Sequence, residues 1–114
     1  MQRGEFSMAV YQNPNTEGAL VNFKERYDNF IGGKWTAPVK GEYFDNVTPV
    51  TGNVFTQVAR STEADIELAL DAAHAAKDAW GKTSATERAN ILLKIADRME
   101  QNLEMLAVAE TWDN

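Results

Sequence analysis

An α+β chain is predicted, in which short antiparallel β-hairpins over residues 29–60 precede two or three amphipathic helices over residues 61–114. Two observations predict it. Between residues 29 and 59, aromatic and β-branched residues gather in short runs separated by turn-forming Gly, Pro, Asn and Thr. From about residue 61 the apolar residues recur at helical spacing, each series opening behind residues suited to a helix cap. The 114 residues are 44% hydrophobic and 25% charged, which fits one small globular domain or part of one.

Residues 1–28 carry no sustained period and are expected to form an extended or poorly ordered arm. Asn13-Pro14-Asn15-Thr16-Glu17-Gly18 is a cluster of turn formers within it, and Met1–Ser7, ahead of a second methionine at Met8, looks like vector-derived sequence. Asn29-Phe30-Ile31 and Lys34-Trp35-Thr36 flank Gly32-Gly33, and a two-residue hairpin turn needs the positive φ that glycine adopts without a Cβ clash. Tyr43–Val47 and Val54–Ala59 are a second pair of strand-like runs, joined by a stretch rich in turn signals. Ser61 or Thr62 is suited to cap the first helix, whose apolar face is Ile66, Ala69, Leu70, Ala73 and Trp80, with Gly81 expected just past its end. Ser84-Ala85-Thr86-Glu87 has capping-box spacing and opens the second helix, with the stripe Ile91, Leu92, Ile95, Ala96 and Met99. Asn102 interrupts that helix or starts a third, carrying Leu103, Leu106 and Ala107. The short connection predicts that the two long helices pack antiparallel.

Composition narrows the chemistry. The formal charge is −6, from 17 Asp and Glu against 11 Lys and Arg, with no basic stripe, so neither nucleic acid nor an anionic membrane is an expected partner. No apolar run approaches the roughly 20 residues that span a bilayer, and the first residues lack a secretory hydrophobic core, so the expected location is the cytoplasm. The sequence contains no Cys, which excludes a thiol nucleophile and a thiolate metal site within these residues.

Isolated candidates for chemistry have plainer readings. Gly32-Gly33 lacks the spacing of a phosphate-binding loop. His74, the only imidazole, lies between alanines on a helix with no nucleophile motif beside it, so a solvated or packed helix residue is expected. Glu63, Asp65, Glu67, Asp71 and Asp78 spread round the first helix and favour its N-terminal dipole end over a metal site. Trp35, Trp80 and Trp112 are expected to pack in a core. The stripe running through Leu92, Ile95, Met99, Leu103 and Leu106 needs cover, either from tight self-packing or from other protein.

Taken in order, Asn29–Trp35, Asn46–Gly52, the helix from Thr62 to Gly81, Glu87–Leu92 and Glu110–Asn114 resemble the N-terminal portion of an NAD(P)-dependent aldehyde dehydrogenase, the bacterial acetaldehyde dehydrogenases most of all. In that family the last motif continues into Gly-Lys-Pro and several hundred further residues. The resemblance implies oxidation of a short aliphatic aldehyde to the acid with NAD or NADP. A cysteine thiolate adds to the carbonyl, hydride leaves to the nicotinamide, and a glutamate assists hydrolysis of the thioester. Those groups lie downstream in family members, so this chain alone is expected to be inactive and to hold no cofactor. The resemblance places residues 61–114 in a truncated part of a Rossmann-like cofactor-binding domain. It implies a monovalent cation held by backbone carbonyls at Asn46 and Val47 and by the Asp113 carboxylate, oxygen donors that suit a hard cation. The implied partners are the rest of the dehydrogenase chain or further copies, as a homo-oligomer. The alternative reading is a non-catalytic protein-interaction module working through the apolar helix face.

Overall fold

The computed structural model describes residues 11–114. The vector-like segment Met1–Ser7 lies outside the described residues. The strands are β1 (Arg26–Tyr27), β2 (Asn29–Ile31), β3 (Lys34–Thr36), β4 (Tyr43–Val47) and β5 (Val54–Ala59), and the helices are α1 (Glu63–Gly81), α2 (Ala85–Gln101) and α3 (Leu103–Asp113). The α+β class and the order of elements match the sequence reading.

β2 and β3 form the glycine-turn hairpin, with Phe30 opposite Trp35 and with φ of 62° at Gly32 and 83° at Gly33. β4 and β5 pair antiparallel, and the register slips between Asn46 and Val47, which face Thr56 and Val54 and leave Phe55 as the extra residue of a bulge. Their connection is closed by Thr48, which is 1% exposed and whose N–H donates to the Asn53 carbonyl at 2.9 Å.

The described part of the arm, from residue 11, is more ordered than its lack of periodicity implied. β1 lies parallel to β5, giving a mixed three-stranded sheet of order β1-β5-β4. Buried Thr56 donates its hydroxyl to the Lys24 carbonyl at 2.7 Å, and Phe23 meets Phe55 edge-on at 4.8 Å. These contacts join residues more than thirty positions apart, and no local pattern encodes them.

α1 opens at Thr62, whose N–H donates to Asp65 Oδ2 at 2.8 Å, the backward half of a capping box. Asp65 does more than cap, since its Oδ1 accepts the Val39 N–H at 2.8 Å and the residue is only 2% exposed. At the other end Gly81 is the last helical residue, not a left-handed residue beyond the helix, and Lys82 is the C-cap at φ −84°. The Thr83 N–H and hydroxyl both donate to the Trp80 carbonyl, at 3.1 and 2.6 Å, so no left-handed residue is needed to satisfy it. α2 begins with both halves of its capping box: Ser84 N–H donates to Glu87 Oε2 at 2.7 Å, and Glu87 N–H to Ser84 Oγ at 3.1 Å. Asn102 separates α2 from α3, its side-chain amide donating back to the Arg98 carbonyl at 2.8 Å.

The expected antiparallel packing of α1 on α2 is absent. α1 packs on β2, and α2 packs on α3. The molecule is extended, with a radius of gyration of 19.3 Å, where a compact chain of this length has about 13 Å. Its accessible surface is 9454 Å², against about 6,200 Å² for a folded monomer of this mass. Buried residues among those described, such as Val21, Thr56 and Val108, are scattered and form no single core. No helix of the described residues is long and apolar enough to cross a membrane.

The two backbone donors hold the Asp65 carboxylate below its ordinary value of 3.8, Thr62 more than Val39, and outweigh the opposing effect of burial. A carboxylate with a depressed folded pKa stabilises above its unfolded pKa, and the contribution is lost as pH falls through the folded value. The Val39 amide is therefore expected to stay protected from hydrogen exchange through the ordinary carboxylate titration range and to lose its protection only at pH below the ordinary aspartate value, while Asp65→Asn loses much of it at every pH. Two-dimensional NMR exchange across a pH series checks this.

Candidate functional site

The residues that the sequence reading assigned to a cation come from two places far apart in the chain. Asn46 and Val47 close β4, and Asp113 ends α3. The fold brings two of them together: Asn46 Nδ2 donates to Asp113 Oδ1 at 2.6 Å. Val47 lies at the register slip and is exposed. A carboxylate, a side-chain amide and an irregular stretch of strand backbone are hard oxygen donors of the kind an alkali cation accepts. Among the described residues there is no group of three or more His, Asp or Glu side chains that could hold a metal.

The other candidates resolve toward structure. Gly32 and Gly33 are hairpin residues; a Cβ added at Gly32 would lie 4.0 Å from Ala72 Cβ, so this turn rests against α1. His74 is exposed on α1. Of the carboxylate series, Glu63, Glu67, Asp71 and Asp78 are exposed, and Asp65 is the exception, used to tie α1 to the loop before β4. The core expected around the tryptophans is not there: Trp35 is 56% and Trp80 49% exposed, and Trp112 is half-buried. Trp35 instead stacks edge-on with Phe30 at 5.2 Å beneath the Lys24 ammonium, 4.7 Å from its ring. The helix stripe is similarly open, with Leu92 and Leu103 each 67% exposed, so tight self-packing is excluded. Ile91, Ile95, Met99, Met105 and Leu106 line a shallow apolar groove between α2 and α3, rimmed by Lys94 and Arg98.

Sequence reasoning missed a polar chain across the sheet. The Arg26 guanidinium lies 4.0 Å over the Tyr43 ring and donates to Gln57 Oε1 at 3.1 Å, and Gln57 Nε2 donates to Asp45 Oδ1 at 2.8 Å. The Tyr43 hydroxyl donates to Asp28, and this bond, more than burial, raises the phenol above its ordinary pKa. Alternation within β4 hints at Tyr43 and Asp45 sharing a face; the pairing with β1 has no local signal. The capping role of Asp65 had a local signal, since Thr62-Glu63-Ala64-Asp65 has capping-box spacing, but its bond to Val39, 26 positions away, had none.

Residues 35–114 match the model of the aldehyde dehydrogenase family. An aldehyde dehydrogenase of Deinococcus radiodurans is 76% identical over 104 residues, covering 91% of this chain and 20% of that protein. A long-chain-aldehyde dehydrogenase of an Acinetobacter species is 66% identical, covering 91% and 21%, and an acetaldehyde dehydrogenase of Pseudomonas aeruginosa is 64% identical, covering 92% and 21%. The chain thus spans about a fifth of the length of these relatives. Among solved structures, the complex of PnpE with nicotinamide adenine dinucleotide superposes with a TM-score of 0.73 at 38% identity, over 75% of this chain and 18% of that one. With the hairpins, capped helices and α3 terminus in the order the resemblance required, and with that match running from Trp35 to Asn114, the chain belongs to the aldehyde dehydrogenase family.

Proposed function

We propose that this chain is the N-terminal segment of an NAD(P)-dependent aldehyde dehydrogenase that oxidises a short aliphatic aldehyde to the acid. In this reading its residues scaffold the cofactor domain and perform none of the bond-making themselves. Family membership is the observation that carries it. The short-aldehyde reading is supported by the acetaldehyde dehydrogenase of Pseudomonas aeruginosa; the long-chain relative in Acinetobacter, equally similar, is its competitor. Residues 61–114 are read as the first helices of the cofactor domain, set off from the hairpin region near residue 60.

The chemistry NAD or NADP supplies when bound is acceptance of hydride. The described residues do not fit a site for it: the glycine pair is a hairpin turn resting against α1, and no phosphate-cradling loop is formed. The covalent step needs a thiolate, and the sequence holds no Cys. What this chain contributes is position. The Asp65 carboxylate fixes the start of α1 against the loop containing Val39, and the Ser84–Glu87 box fixes the start of α2. A monovalent cation at Asn46, Val47 and Asp113 belongs to the same reading, with the Asp113 carboxylate as its charged ligand; the closeness of Asn46 and Asp113 supports it. A non-catalytic interaction module remains the second reading, favoured by the open groove between α2 and α3.

This polypeptide alone is expected to give no NAD reduction with acetaldehyde. Mixed with a polypeptide comprising the remaining length of the Pseudomonas relative, it is expected to restore that reduction, with a higher kcat/KM for acetaldehyde than for a long-chain aldehyde. Turnover by the purified chain alone would overturn the assignment, and no restoration on mixing favours the interaction module. For the cation, added sodium or potassium is expected to raise the melting temperature by a few degrees, ~2–4 °C, and Asp113→Ala to abolish that increment, as followed by circular dichroism.

A further inference from the structure

We draw no further inference here: the strongest candidate, the side-chain cluster of Arg26, Asp28, Tyr43, Asp45 and Gln57 across the sheet, braces β1 with hydrogen bonds made within the cluster, and no buried polar side-chain atom among the described residues is left without a partner to point to a ligand.

Discussion

The first helix of this molecule is oriented by one carboxylate. Asp65 is the only acidic side chain buried among the described residues, and it stays ionised because two backbone N–H groups, from Thr62 and Val39, point at it. The position at the start of α1 adds the favourable end of the helix dipole. One of those donors belongs to the helix and the other to the loop between β3 and β4, so the same group that starts α1 also sets its direction against the strands. The packing of α1 on β2 then follows as the second point of a two-point attachment.

The other helices have no such tether. α2 and α3 are held by their own ends: a complete capping box at Ser84, the Arg88 guanidinium on the Thr83 carbonyl at 2.6 Å, and the Asn102 amide on the Arg98 carbonyl. Such interactions are each worth about 1 kcal/mol, and isolated helices of this length are marginal in water. Amphipathic helices that leave their apolar faces open gain little from burial, so their stability is inseparable from whatever covers them.

The link between Asn46 and Asp113 has the same character. It joins the end of β4 to the end of the last helix, 67 positions apart. The sheet has its own cross-brace in Arg26, Tyr43, Gln57 and Asp45, which locks the two-residue strand β1 onto β5 where backbone pairing alone is short.

What was legible in the sequence was local. Gly32-Gly33 determined its hairpin because only a residue without Cβ adopts two successive left-handed conformations at no cost. Ser84 and Glu87 determined a helix start, and Asn102 a helix break, because the donors and acceptors involved lie within four residues of each other. The absence of Cys settled by itself that no thiolate is formed here. The meeting of Asn46 with Asp113 was reachable only through the family resemblance, since no spacing rule connects residues so far apart. Tertiary structure alone decided that the arm adds a parallel strand, that Asp65 reaches Val39, that α1 turns to β2 instead of α2, and that Trp35 and Trp80 stay open to solvent. Periodicity shows which face of a helix is apolar, but the partner of that face is chosen by non-local contacts whose energies depend on surfaces brought together only when the chain folds.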